Sequence, residues 1–294
     1  MNIIISYYIS YYIIYKLFAD DIKLYLCQET KNEPLYEQRL QRDIDSLVAT
    51  SESWGLHMNS SKVVCIRFGG QNPTDILSPY KINGTGISYA ETHGDLGIDV
   101  SRTLKFHSHI RKTAGMCHGI TTNILSSTLC RDAEFILNIY ISHIRPKLEY
   151  GSTLWNQGYA MDLRLLEGVQ RRWTRSVSGL EDVPYPERLC RLDLFSVQDR
   201  LLRADMIMTW KIFNGKCAID PDQLFTMNES VRRGHPLKIF HPRVNCDIRK
   251  RSFAVRVVSN WNSLAADTVM AQSLNSFKGL LHRDLGSKLY ECSL

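Results

Sequence analysis

The 294-residue chain has eight cysteines, yet no two of them form a C-x-x-C pair. Such scattering excludes a zinc ribbon or a dense disulfide framework and suits an intracellular, reducing compartment, nucleus or cytoplasm. His235, His241 and Cys246 lie near one another, at a spacing that matches no common zinc finger or knuckle. No acidic residue occurs before Asp20, and neither an early positive charge nor a small-residue cleavage site marks a secretory signal. A spanning helix needs about 20 apolar residues. The opening run MNIIISYYISYYIIYKLF is rich in Ser and Tyr and is interrupted by Lys16, with Asp20 and Asp21 close behind. Ile and Tyr favour strands, so buried strand is expected there and no membrane partner. Internal repeats and low-complexity tracts are absent.

Charge is present but uneven. Residues 1–100 carry eight Lys/Arg against twelve Asp/Glu, and the remainder carries 28 against 18. A basic later part suits a polyanionic partner.

The element pattern divides in the same way. Residues 13–26 read as a hairpin around Ala19, Asp20 and Asp21. After Pro34, the residues Leu40, Ile44, Leu47, Val48 and Trp54 recur at helical spacing until Gly55. Residues 56–68 read as a bent strand or tight pair, and YKINGTGISYA as a hairpin around Asn83-Gly84. Beyond residue 100 the pattern turns helical, with candidates at 104–118, 131–145, 162–178, 197–214, 247–262 and 273–284. Prolines at 146, 184, 186, 221, 236 and 242 read as joints. The fold class is α+β, with three regions at 1–100, 101–180 and 181–294.

The chemistry centres on LFADDIKLY. Adjacent carboxylates repel each other, and in a strand they point to opposite faces, so they converge only at a turn. At a hairpin turn a divalent cation neutralises the repulsion and takes hard oxygen ligands. Nucleotidyl transfer uses two such ions about 4 Å apart. A solvated Asp-Asp turn is the alternative for the dipeptide by itself.

Context decides between them. YKLFADDIKLY resembles the aspartate-bearing palm hairpin of reverse transcriptases, in the form with Phe and Ala before the pair. SESWGLHMNSSKVVCIRFG is similar to the segment that follows it in non-LTR retrotransposon enzymes, where a Trp-Gly turn leads to an Asn and, three residues on, a Lys, here Asn59 and Lys62. HGDLGIDVSRTLKFHSHI, IRPKLEYGSTLWN, LRLLEGVQRRWTR, RADMIMTWKIFNG and FAVRVVSNWNSL extend the likeness to LINE-type, jockey-like polymerases from about residue 16 to 284. The resemblance implies a partial palm, then a helical thumb-like region and a basic helical C-terminal region. It implies that Asp20 and Asp21 are the metal-binding, catalytic pair for Mg2+, with Lys62 beside the nucleotide triphosphate. The implied partners are an RNA template, a DNA primer or target, and deoxynucleoside triphosphates; the oligomeric state is not fixed.

One departure matters. A palm needs a further aspartate from an earlier strand, and the nineteen residues before Asp20 hold no acid. The chain therefore reads as the C-terminal piece of a longer enzyme, inactive alone as a polymerase. The alternatives are a non-catalytic RNA- or DNA-binding remnant and a structural or membrane-associated protein.

Two basic surfaces are candidates for phosphate contact. At about 100° per residue, Arg164, Arg171 and Arg175 fall on one line of a helix, with Arg172 at its edge and Leu165, Leu166, Val169, Trp173 and Val177 opposite. The second comprises Arg232, Arg233, Lys238, Arg243, Arg249, Lys250 and Arg251, an extended basic arm on which Phe240 or Trp261 could stack a base, with burial favoured for Trp261.

Overall fold

The computed structural model describes residues 2–7, 14–18, 21–26, 34–69, 77–228 and 234–291. It forms two compact units, residues 1–105 and 106–294. Asp20, Arg232 and Arg233 lie outside the described residues.

The first unit is built on strands β1 (Asn2–Tyr7), β2 (Ile14–Phe18) and β3 (Asp21–Leu26), helix α1 (Pro34–Ser53), and strands β4 (Val64–Ile66), β5 (Leu77–Ile82) and β6 (Thr85–Tyr89). Its six strands pair in the order β2-β3-β1-β4-β6-β5. The described parts of the opening Ile/Tyr run are thus strands, as their residue types require. Phe18 pairs with Asp21 in the antiparallel β2–β3 ladder, so the expected hairpin forms with Asp21 opening β3. β5 and β6 form the other expected hairpin. Its turn residues Asn83 and Gly84 both have positive φ, 49° and 78°, which matches the right-handed twist of the strands.

Along β3 the side chains alternate. Ile22, Leu24 and Leu26 pack with Leu40, Ile44 and Val48 of α1 and with Cys65, Tyr80, Ile82 and Ile87. Gln41 holds α1 to β5 by accepting from the Lys81 amide at 2.8 Å and donating to its carbonyl at 2.9 Å. Trp54 departs from the expected helical stripe: α1 ends at Ser53 and the indole, on the turn before Gly55, is 73% exposed. Residues 56–68 also differ from a tight pair. Only β4 is strand, and it lies between β1 and β6, parallel to both. A further hairpin, β7 (Thr92–Asp95) and β8 (Ile98–Ser101), turns through Leu96 and Gly97, both at positive φ.

The second unit is helical: α2 (His107–Ser127), α3 (Ala133–Ile139), α4 (Arg145–Glu149), α5 (Ser152–Trp155), α6 (Ala160–Arg175), α7 (Tyr185–Arg191), α8 (Val197–Phe213), α9 (Pro221–Leu224), α10 (Asp247–Lys250), α11 (Phe253–Asn262), α12 (Ala266–Val269) and α13 (Leu274–Glu291). The expected helices at 104–118, 162–178, 197–214 and 273–284 each correspond to one helix, whereas 247–262 is two, α10 and α11, interrupted at Arg251 and Ser252, and 131–145 is α3 continued by a π-helical turn. Pro146, expected to end or kink its helix, stands in the first turn of α4, immediately after the regular α-helix is interrupted. A π-helical turn over Tyr140–Ile144 joins α3 to α4, with the Arg145 amide reaching back five residues to the Tyr140 carbonyl. The widened turn makes room for a ring that would clash with an α-helical carbonyl. Tyr140, Ile144 and Leu148 stay buried along this run.

The Pro184 and Pro186 joint is instead the start of α7, because proline is compatible with a first helical turn, where the amide needs no partner. Around α8, α11 and α13 the core is aromatic: Trp210 stacks on Phe277 at 5.6 Å and Phe213 on Trp261 at 5.4 Å. Burial of a large aromatic contributes several kcal/mol, about 25 cal/mol per Å² removed from water, so Trp261 belongs to this core.

Candidate functional site

In the first unit the backbone brings Asp21 and Lys62 to one end of the sheet. Asn2 of β1 pairs with Asp21 and Ile4 pairs with Val64, both in parallel register. Lys62 lies two residues before Val64, in the turn that leads into β4, and β1 separates that strand from β3. The Asn59 and Lys62 spacing is one 3-10 turn, Ser60–Lys62. Asn59 caps it, its Oδ1 accepting from the Ser61 amide at 3.1 Å and the Ser61 hydroxyl at 2.6 Å, and leaves Lys62 exposed before β4.

Asp21, Lys23 and Tyr25 share the face of β3 opposite α1. The β7–β8 hairpin lies on that face, where the Lys23 ammonium, almost wholly buried, forms an ion pair with Asp95. Burial, and then the Asp95 charge, push the Tyr25 phenol above its ordinary pKa. Lys23 and Asp95 escaped the sequence reading; Lys23 lies only two residues past Asp21, but nothing in the pattern announces its distant partner.

The fit to a pair of metal ions is incomplete in the described structure. Asn2, not an acid, pairs beside Asp21. Among the described residues no three His, Cys, Asp or Glu side chains converge as a metal site. Asp21 by itself supplies too few oxygens for two ions.

In the second unit, α6 has the expected two faces. Leu166, Val169 and Trp173, with Val177 just beyond, are buried, while Arg164, Arg171, Arg172 and Arg175 are exposed. Arg172 also ties α6 to α2 through the His118 carbonyl at 3.3 Å and the Thr122 hydroxyl at 3.0 Å. Arg171 lies 4.4 Å from the ring centre of Tyr185, whose hydroxyl donates to Glu167. Arg171, Arg172 and Arg175 meet Arg188 of α7 around an open hollow of about 510 Å³, with Glu181, Asp182 and Val183 completing its wall. Arg188 was missed because its helix was read as a proline joint; the P-x-P-E-R string is a helix start that would have revealed it.

The described part of the second basic cluster does not run free of the core. Residues 235–240 are fastened along their length. Met227 bridges to Ile239, Asn262 both accepts from the Ile239 amide at 2.9 Å and donates to its carbonyl at 2.7 Å, and the Trp261 indole donates to Leu237 at 2.7 Å. His235 is buried with Nε2 3.0 Å from the Trp261 carbonyl. The apolar side chains of Leu237 and Ile239, packed on the aromatic core, outweigh the pull of solvent on their basic neighbours. Lys238 is half-buried; Arg243, Arg249 and Lys250 are exposed, as is Phe240. Arg251 bonds to Asp247 at 3.1 Å and to the Gln157 carbonyl at 2.9 Å, over the Tyr159 ring. No described helix is long and apolar enough to cross a membrane.

No family model and no solved structure matches the chain. It is 25% identical over 194 residues to a probable RNA-directed DNA polymerase from transposon BS of Drosophila melanogaster, covering 63% of this chain and 21% of that protein. It is 27% identical over 148 residues to the RNA-directed DNA polymerase from mobile element jockey of the same organism, covering 48% of this chain and 15% of that protein. The chain thus spans about a fifth or less of the length of these relatives. In sequence it is similar to the RNA-directed DNA polymerases of non-LTR retrotransposons, of which it corresponds to a part.

Proposed function

We propose that the chain is part of a reverse transcriptase of a non-LTR retrotransposon. The observation that carries this reading is the sequence similarity to two mobile-element polymerases, in a chain that also has an aspartate hairpin. In the intact enzyme a primer 3′-hydroxyl attacks the α-phosphate of a deoxynucleoside triphosphate opposite an RNA template. The sheet of the first unit is the palm portion and the helices of the second are the thumb-like and C-terminal regions. Asp20 and Asp21 bind a divalent cation, Mg2+ by the family resemblance, and Lys62 neutralises charge on the triphosphate. The exposed arginines of α6, with Lys238, Arg243, Arg249 and Lys250, hold nucleic-acid phosphates without reading sequence. Arg232 and Arg233 join that set on sequence grounds.

Two neighbouring carboxylates are too few to hold and space two ions, so the 294-residue chain binds template and primer without extending it. Primer extension on an RNA template with Mg2+ and all four deoxynucleotides tests this. No product is expected; robust synthesis that disappears in Asp20→Ala would show that the chain assembles a complete site.

A further inference from the structure

The hollow between α6 and α7 is more than a stretch of basic surface. Arginines in the last turn of a helix are ordinarily explained by the macrodipole, and Arg172 and Arg175 satisfy that explanation. Arg188 does not. It is 6% exposed, its Nε has no hydrogen-bond partner, its Nη2 donates to the Arg171 carbonyl at 3.4 Å, and its guanidinium lies 5.6 Å from the ring centre of Tyr185. A buried guanidinium is normally matched by a carboxylate. Among the described residues none lies within ion-pairing distance of Arg171, Arg172, Arg175 or Arg188. Burial, and then the like charges of Arg175 and Arg171, hold Arg188 below its ordinary pKa. These guanidiniums are gathered around a space that an anion would complete.

The lining narrows the anion. Four arginines face Glu181 and Asp182, an excess of two positive charges. A phosphate monoester carries about −1.5 to −2 at neutral pH and offers three acceptor oxygens, whereas a diester within a strand carries only one negative charge. The geometry points to a binding site for a phosphate monoester: the terminal phosphate of a nucleic-acid strand, or that of a free nucleotide. This rests on the nucleic-acid reading above for its source of phosphate, though not for the site itself.

The test compares two oligonucleotides of one sequence, with a 5′-phosphate or a 5′-hydroxyl, titrated onto the full chain. The phosphorylated strand is expected to bind about tenfold more tightly, the worth of one charge-assisted contact set. Arg188→Gln and the exposed Arg175→Gln should each abolish that advantage, with far-UV circular dichroism confirming the fold. Arg164→Gln, on α6 but outside the hollow, should weaken both strands and leave their ratio unchanged. Competition by a nucleoside 5′-monophosphate would assign the site to free nucleotides, and its failure to compete would assign it to strand ends. Equal binding of the two strands overturns the site while leaving the nucleic-acid reading intact. Should neither strand bind, that reading fails, and calorimetry with inorganic phosphate decides the site: heat lost in both variants supports it, and no heat in the unaltered chain overturns it.

Discussion

Asp21 opens β3 and Lys62 leads into β4, and β1 pairs in parallel with both strands, so the two residues lie toward the same end of the sheet. The Lys62 side chain is separable from the turn that presents it. Lys62→Ala removes an exposed side chain and should change stability by no more than about 0.5 kcal/mol. Asn59→Ala removes the cap and should cost about 1 kcal/mol. Urea denaturation of the two variants checks the contrast.

The ion pair of Lys23 and Asp95 fixes the β7–β8 hairpin to the Asp21 face of the sheet. Asp95→Asn leaves an ammonium nearly buried without its counter-charge and should destabilise the chain by about 2 kcal/mol or more. Replacing both partners with apolar residues, Lys23→Met with Asp95→Leu, should cost less than that single change. A double variant less stable than Asp95→Asn would count against the buried pair.

Cys117 faces the core of the helical unit from α2, and burial pushes its thiol up to about 11. At pH 8, peptide mapping after brief iodoacetamide treatment should find Cys130, Cys190 and Cys246 alkylated and Cys117 unmodified, since the thiolate is the nucleophile. The same shift sets a sign. The folded chain holds the thiol proton more tightly than the unfolded chain, so stability is level below the ordinary thiol value of 9.0 and falls as pH rises toward 11.

His235 titrates in the other sense. It is 0% exposed, and burial, the largest influence, lowers its pKa from 6.5. The unfolded chain then binds the proton more readily, so His235 costs nothing at neutral pH and lowers stability as pH falls through 6.5. Urea midpoints at neutral and mildly acid pH should differ more for the unaltered chain than for His235→Gln; an identical difference in both would remove His235 as the cause.

Much of this was legible in residue patterns, and the exceptions share a physical origin. The Asp21 hairpin, α1 and the Asn83-Gly84 turn are local structures, set by alternation, helical period and residues suited to positive φ. The two faces of α6 followed from the same arithmetic. Trp54 was misassigned because the helix stops one residue short of it, and a stripe does not say where it ends. The arm around His235 looked free because its basic residues were visible, whereas the bonds from Trp261 and Asn262 come from more than twenty residues away. Lys23 and Asp95 meet across 72 positions for the same reason. Arg188 differs: its signal is local, and the prolines beside it read as a joint between helices and not as a helix start.

The most direct test of the central claim, that this chain is a nucleic-acid-binding part of a retrotransposon reverse transcriptase, is fluorescence anisotropy of an RNA–DNA duplex with the full chain across a salt series. Affinity should fall about tenfold or more between roughly 50 and 200 mM salt, as phosphate contacts release counterions. The slope should become shallower when Arg164, Arg171 and Arg175 are changed together to Gln. No binding at low salt, or a slope that the triple change leaves unaltered, would contradict it.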